Sequence, residues 1–140
     1  MSITFRVAAW NDKAGRSYNE DRFQVKVNLS KDEWGFMTDK YVDLDEKGAL
    51  LVVCDGMGGM SAGDVAATIA VETIQLWFAP EQLTAQVTAT PEAMMRHIER
   101  AIIAADENIK ADGKRNKERE GMGSTIVLAW IKGEHVYVGW

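Results

Sequence analysis

Two short stretches carry residues that could do chemistry on a metal ion or a phosphate group. In the first, VVCDGMGGMSAGDVAA, an apolar run from Val52 stops at Asp55, passes through glycines and continues as a helix-like pattern. A carboxylate at the end of a strand is held in a fixed direction, and Gly56, Gly58 and Gly59, which have no Cβ atom, let the backbone come close to another group. Oxygen ligands of this kind suit Mg²⁺ or Mn²⁺. The alternative is a turn in which Asp55 caps a helix, and this stretch alone does not decide between them.

The second stretch is GRSYNED, which runs from Gly15 to Asp21. It places Arg16 four residues ahead of Glu20, with Asp21 adjacent. An arginine can hold a phosphate group with two parallel hydrogen bonds. The two carboxylates can supply further oxygen ligands to a metal. Taken by itself, the stretch is more typical of a solvated, charged turn than of a binding site.

Strands that could position these residues are predicted at 3–10, 22–29 and 49–54. The last is continuously apolar, so it is expected to be covered on both faces. The segment 22–29 alternates strictly, which predicts one apolar and one wet face. The apolar side chains are Phe23, Val25, Val27 and Leu29, and the wet ones are Arg22, Gln24, Lys26 and Asn28. The polar segment 31–48 is expected to be a loop or an edge excursion.

Two helices and a final hairpin complete the prediction. Apolar residues recur at helical spacing from Ala62 to Trp77, and Thr90 with Pro91 is typical of the start of a second helix. The stripe of that second helix comprises Met94, Ile98, Ala101, Ile102, Ala105 and Ile109. Residues 110–123 are predicted as a solvated loop, and strands at 124–131 and 134–140 as a hairpin with Lys132-Gly133 at its turn. This order of elements predicts an α+β layered fold.

The composition narrows the class of protein. The chain has 140 residues, of which 46% are hydrophobic and 26% charged, with a net charge of −5. This fits one domain, 1–140, and disfavours nucleic acid as a partner, because such binders need a basic surface. The lone Cys54 cannot form an internal disulfide, which favours a reducing compartment. Since no apolar run suggests a signal peptide or a membrane span, a cytoplasmic protein without a membrane partner is expected.

In combination, four motifs resemble those of the metal-dependent protein phosphatases, the type 2C or PPM family, in its bacterial form. They are R-x-x-N-E-D at 16–21, D-G-M-G-G at 55–59, the AGDVAA helix start and GMGST leading into a hairpin. The resemblance extends over nearly the whole chain. It implies an α-β-β-α sandwich, in which two antiparallel sheets are flanked by helices and a dinuclear metal site lies in the cleft between the sheets.

The resemblance also implies roles for individual residues. Asp55 would bridge two Mg²⁺ or Mn²⁺ ions, Glu20 and the Gly56 carbonyl would serve the second ion, and Asp21 would support the site from behind these ligands. Arg16 would bind the substrate phosphate. The implied activity is hydrolysis of serine or threonine phosphoproteins by a water that bridges the two metals.

The chain departs from the family pattern at Met57, where many eukaryotic members have a histidine proposed to protonate the leaving group. The two histidines present, His97 and His135, fall in the second helix and the last hairpin and are expected to be structural. A metal-bound water is therefore the expected acid. Cys54 has no catalytic role in this scheme and is expected to lie in the core.

Family members continue beyond the position of Trp140 with G-D-S and two further metal-binding aspartates. The resemblance therefore implies that the chain corresponds to about the N-terminal half of a phosphatase domain and is inactive or weak alone. The alternative is an inactive metal- or phosphate-binding module, or a half-fold that assembles with another chain. Since both faces of the last strand are apolar or small, a homodimer or larger assembly is also expected.

Overall fold

The computed structural model describes residues 2–140, and it places one antiparallel sheet against a layer of two helices. The sheet order is β2-β4-β6-β7, with β5 beside the end of β4, and a separate pair is formed by β1 and β3. The strands are β1 (Thr4–Phe5), β2 (Asp21–Lys26), β3 (Val42–Asp43), β4 (Ala49–Met57), β5 (Gly123–Ser124), β6 (Val127–Lys132) and β7 (His135–Gly139). The helices are α1 (Ala62–Trp77) and α2 (Pro91–Arg115).

The central strand β4 is covered on one face only. Leu50, Val52 and Cys54 point toward the helices and are at most 1% exposed. Val53 points to the other side and is 55% exposed. The prediction that 49–54 is covered on both faces is therefore wrong, because within residues 2–140 the helices lie on one side of the sheet.

In strand β2, the side chains that were predicted to face water lie on the side of the sheet that packs against the helices. The register pairs Arg22 with Cys54, and Lys26 with the buried Leu50, so these polar side chains share the helix-facing side. Lys26 is 0% exposed, and its ammonium lies 5.2 Å from the centre of the Trp34 ring. Burial lowers the pKa of Lys26. The alternation was predicted correctly, but the assignment of the polar side chains to water was wrong.

The helices follow the predicted pattern closely. The Thr90 hydroxyl accepts a hydrogen bond from the Ala93 amide at 3.1 Å, so the predicted cap of α2 is confirmed. Its apolar stripe packs into the core, with Ile102 only partly buried. The predicted loop 110–123 is wrong in its first part, because α2 continues to Arg115 with Ile109 and Gly113 still buried.

Two strand boundaries also differ from the prediction. Only Thr4–Phe5 of the segment 3–10 forms a strand, since only these residues pair, with Val42–Asp43. The last turn is formed by Gly133 and Glu134, because Lys132 pairs with His135. Gly133 has a φ of +57°, a left-handed conformation that glycine adopts readily.

The α+β class and the packing of helices on an antiparallel sheet are confirmed. The core lies between the sheet and the two helices and includes the aromatic rings of Phe78 and Trp130, whose centres are 5.1 Å apart. In the described part of the chain, neither helix combines the length and the apolar character that crossing a bilayer requires.

Candidate functional site

Asp55 lies inside β4, two residues before the strand ends, and its backbone is held from both sides. Its amide donates to the Thr125 hydroxyl at 3.1 Å, and its carbonyl accepts from the Thr125 amide at 2.8 Å. On the other side, the Gly56 amide donates to the Glu20 carbonyl at 3.0 Å. The position of Asp55 is therefore fixed by β2 and by the segment after β5, and neither contact was predicted from the sequence.

Asp21 lies directly opposite Asp55 in the antiparallel pair of β2 and β4. Opposed residues point to the same face with Cβ atoms about 5 Å apart, and like charges in this arrangement repel each other. Both residues are exposed on the face without helices. The ion pairs within residues 2–140 join other residues, so no lysine or arginine neutralises these two carboxylates. Their oxygens fit a hard divalent cation, which would remove the repulsion.

The Glu20 carboxylate lies against the first turn of α1. A Cβ atom added to Gly63 would overlap this carboxylate, and Glu20 is half-buried. An acid beside a helix N-terminus is stabilised by the exposed amide groups and the helix dipole. Glu20 and Asp21 thus point away from each other, Glu20 toward α1 and Asp21 toward Asp55.

The glycines after Asp55 serve close packing against α1. A Cβ atom on Gly56 would overlap the Gly63 carbonyl, and one on Gly58 would lie 2.8 Å from the Ala62 Cβ. Gly59 has open space around it. The expectation that these glycines let the backbone approach something is confirmed for Gly56 and Gly58, and the element approached is the helix.

A side-chain network fixes the backbone at Asp21. The Asn19 side-chain oxygen accepts from the Asp21 amide at 3.0 Å, and the Asn19 side-chain nitrogen donates to Asn11 at 2.7 Å. Asn11 in turn donates to the Asp21 carbonyl at 3.0 Å. The asparagine of the R-x-x-N-E-D motif was the available signal for Asn19, whereas nothing in the sequence indicated Asn11.

Arg22 ties the same segment to α1 and was not predicted as a site residue. Its guanidinium forms an ion pair with Asp64 in the first turn of α1. It also donates to the Asp21 carbonyl at 2.7 Å and to the Asn19 carbonyl at 3.3 Å. Because these contacts lie on both sides of Glu20, Arg22 sets the position of both acids relative to the helix.

Replacing Arg22 with methionine is expected to weaken Mn²⁺ binding by about tenfold, the effect typical of residues that orient metal ligands. The free energy of unfolding should fall by only about 1 kcal/mol, because the ion pair is partly exposed. Calorimetric titration with Mn²⁺ and urea denaturation measure the two effects.

The matched control for Arg22 is Lys110→Met, which breaks an exposed ion pair with Asp106 on α2. Asp64→Asn should reproduce the loss caused by Arg22→Met, and the double variant should be no worse than either single one. Equal Mn²⁺ affinity in Arg22→Met and the wild type would contradict this role.

Arg16 lies in an exposed turn, apart from the contacts described above. Its amide donates to the Lys13 carbonyl at 3.1 Å, and the preceding Ala14 has a φ of +51°. Within the described residues, its guanidinium forms no hydrogen bond or ion pair. The structure thus places the backbones of Glu20 and Asp21 beside those of Asp55 and Gly56. Arg16 lies outside this group, and its side chain contacts none of these residues.

The donors available for a cation are few. In the part of the chain that the structure describes, no three side chains of His, Cys, Asp or Glu converge into one set. The carboxylates of Asp21 and Asp55 share the open face of the sheet, with the Gly56 carbonyl next in the chain, whereas the Glu20 carboxylate lies on the helix side against Gly63. Such a set suits a cation that keeps several waters, as Mg²⁺ does.

Cys54 and the two histidines lie outside this cluster. Cys54 is fully buried and burial raises its pKa to about 12, so the expectation that it belongs to the core is confirmed. His97 is buried beside Trp77, with its Nε2 2.8 Å from the Trp77 carbonyl. His135 is exposed at the start of β7.

Comparisons with known proteins agree on one family of phosphatases. The family model described as protein phosphatase 2C matches residues 29–140. A serine/threonine phosphatase, stp, from Listeria innocua is 28% identical over 122 residues, which cover 86% of this chain and 44% of that protein.

Two solved structures show the same fold. A variant of a bacterial serine phosphatase superposes with a TM-score of 0.64 at 25% identity, over 99% of this chain and 51% of that one. The catalytic domain of the phosphatase PstP, solved with two manganese ions, gives 0.57 at 21% identity, over 99% and 45%. The chain therefore spans about half the length of these relatives.

Proposed function

The chain belongs to the protein phosphatase 2C family, and we propose that it contributes a cation-binding and phosphate-binding part to metal-dependent hydrolysis of phosphoserine or phosphothreonine in proteins. Asp55, Glu20 and the Gly56 carbonyl hold the cation, Asp21 supports them, and Arg16 binds the substrate phosphate. Bound Mg²⁺ or Mn²⁺ supplies an activated water and stabilises the charge that develops on the phosphate group. The expected location is the cytoplasm.

The observation that supports this proposal is the pairing of Asp21 with Asp55, since neither carboxylate forms an ion pair within residues 2–140. Two carboxylates on directly opposed residues repel each other, and a cation bound between them would remove this repulsion. The backbone contacts from Thr125 and Glu20 hold Asp55 in place before any ligand binds. A fixed donor loses little conformational freedom on binding, so this cluster is suited to a cation.

The four residues assigned to the cation and its surroundings differ in their contributions. Asp55 and Asp21 place negative charge on the open face of the sheet, where a substrate can approach. Glu20 is anchored beside α1 and ties that helix to the cluster. The exposed turn leaves Arg16 free to reach an incoming phosphate group and form two parallel hydrogen bonds with it.

The test is calorimetric titration of the chain with Mn²⁺, together with phosphate release from a phosphoserine peptide. Saturable Mn²⁺ binding that requires Asp55, with Mn²⁺-dependent phosphate release by a protein containing these residues, is the expected result. The manganese ions in the structure of PstP support Mn²⁺ as the first probe. Absence of saturable binding would refute the proposal.

A cation-binding module without turnover is the second candidate. It is favoured by the donor count, since three or more acidic, histidine or cysteine ligands do not converge anywhere in residues 2–140. The same experiment separates the two, because this module would bind Mn²⁺ through Asp55 but release no phosphate in any protein that contains it.

Replacing Arg16 with alanine is expected to raise KM for a phosphoserine peptide while leaving Mn²⁺ affinity within about twofold. Loss of a charge-assisted contact to phosphate costs about 2–3 kcal/mol, or roughly 30- to 150-fold in kcat/KM. Lys13→Ala, in the same exposed turn, is the control and should change neither quantity. An unchanged KM with weakened Mn²⁺ binding would make Arg16 a scaffold residue.

The chain by itself is expected to self-associate through the face of the sheet that carries no helix. Val53, Val127 and Val136 are each more than 50% exposed there, and β7 is an edge strand. Light scattering at tens of micromolar measures the effect. Val136→Lys should reduce association and Leu76→Lys, on the exposed side of α1, should not. A stable wild-type monomer would contradict this prediction.

A further inference from the structure

A cavity of 240 Å³ opens beside α2, at the end of the molecule opposite the candidate cation site. Its lining is formed by Gln86, Val87, Ala93, Arg96, His97 and Arg100. Helix α1 begins beside Gly56 and ends at Trp77, whose carbonyl contacts His97. Since α1 has 16 residues, about 24 Å of helix separates the cavity from Asp55.

The lining carries positive charge and no acid. Arg96 and Arg100 lie one helical turn apart on the same side of α2. Neither arginine takes part in an ion pair within residues 2–140, although the chain has a net charge of −5. Like charges at this spacing repel each other, and Glu92 and Glu99, which lie at helical spacing from Arg96, form no ion pair with it. An anion bound between the two guanidinium groups would remove that repulsion.

His97 adds a fixed polar group to the wall of the cavity. It is 7% exposed, and the rings of Phe78 and Trp130 lie 5.1 and 6.1 Å from it. Because the Trp77 carbonyl can only accept, the Nε2 beside it carries a hydrogen, which leaves Nδ1 for the cavity. Burial and the charge of Arg100 both lower the pKa of His97. A bound anion would act in the opposite direction and favour a proton on Nδ1.

These groups match one class of ligand. Guanidinium groups present paired N–H donors that fit the oxygens of a phosphate group, and the Gln86 amide adds a further donor at the rim. Val87 and Ala93 carry no charge, so the two arginines supply the attraction for an anion. We propose that this cavity is a second phosphate-binding site, which takes inorganic phosphate or the phosphorylated side chain of a peptide. The site is separate from the proposed hydrolytic site and does not depend on it.

The experiment follows the ring nitrogens of His97 by NMR in chain labelled with ¹⁵N-histidine. The chain is titrated with inorganic phosphate and, separately, with a phosphoserine peptide, in EDTA at constant pH and ionic strength. A saturable shift of the His97 Nδ1 signal is expected, with His135 as the internal control because it is exposed on β7 and does not line the cavity. The absence of cations keeps the result independent of turnover at Asp55.

The variant Arg96→Gln/Arg100→Gln is expected to bind at least tenfold more weakly. Lys114→Gln/Arg115→Gln makes the same change of charge in the exposed last turn of α2 and should stay within twofold of the wild type. Circular dichroism verifies the fold, and the single arginine variants replace the double one if it unfolds.

A response to both ligands supports a general phosphate site. A response to the peptide alone identifies a phosphorylated side chain as the source of the anion, and a response to inorganic phosphate alone identifies the free ion. The proposal is overturned if neither ligand shifts the His97 signal saturably, or if the arginine variants bind as tightly as the wild type.

Discussion

Replacing Asp55 with asparagine is expected to lower Mn²⁺-dependent phosphate release by more than about 10³-fold in a protein that contains this chain. The side chain keeps its size, and the backbone contacts to Thr125 and Glu20 do not involve the carboxylate. The change therefore removes one negative charge from the pair formed with Asp21 and little else. In the chain alone, Mn²⁺ affinity should fall by at least about 100-fold, because a ligand matters more than the residues that orient it.

The control for Asp55→Asn is Asp39→Asn, which makes the same change of charge at an exposed residue outside the sheet. Its activity and Mn²⁺ affinity should stay within about twofold of the wild type. Calorimetry and phosphate release measure the two quantities, and urea denaturation verifies that both variants fold. Activity within tenfold of the wild type at saturating Mn²⁺ would refute the assignment of Asp55.

Asp55→Asn also has an expected effect on stability. Because Asp21 and Asp55 repel each other in the absence of a cation, the variant should be slightly more stable than the wild type in EDTA, by about 0.5 kcal/mol. With Mn²⁺ present the order should reverse, since binding to the folded state stabilises it. Such a reversal in the relative stability of Asp55→Asn and the wild type would distinguish a cation site from a pair of acids with only a structural role.

Local patterns predicted the helices well and the faces of β2 poorly. Thr90 and Pro91 define the start of α2 through contacts within a few residues, so the sequence carries the whole signal. The alternation in β2 was equally clear, but alternation does not say which face meets the helices. Lys26 is buried because its register partner is Leu50, and register depends on strands that are distant in sequence.

The same limit applies to the candidate site. The motifs and the family resemblance pointed to Glu20, Asp21 and Asp55 as neighbours, and the structure places their backbones side by side, with only the Asp21 and Asp55 side chains on the same face. The sequence did not predict that Asp21 faces Asp55 while Glu20 lies against Gly63, because this follows from strand register and from the packing of α1. Arg22 was missed for a related reason, since its partner Asp64 lies on a different element.

Replacing Gly56 with alanine is expected to lower the free energy of unfolding by about 3 kcal/mol, at the upper end of the usual cost of overpacking. The added Cβ atom would overlap the Gly63 carbonyl, and a backbone atom cannot move aside unless α1 moves with it. Gly59→Ala is the matched control, because its Cβ atom would meet nothing within 4 Å and its stability should stay within about 1 kcal/mol of the wild type.

Gly63→Ala separates packing from function, since its Cβ atom would press chiefly on the Glu20 carboxylate, a flexible side-chain end. It should therefore weaken Mn²⁺ binding with a smaller loss of stability than Gly56→Ala. Urea denaturation and Mn²⁺ titration of the three variants measure both effects. Equal stability of the Gly56 and Gly59 variants would contradict a tight contact between β4 and α1.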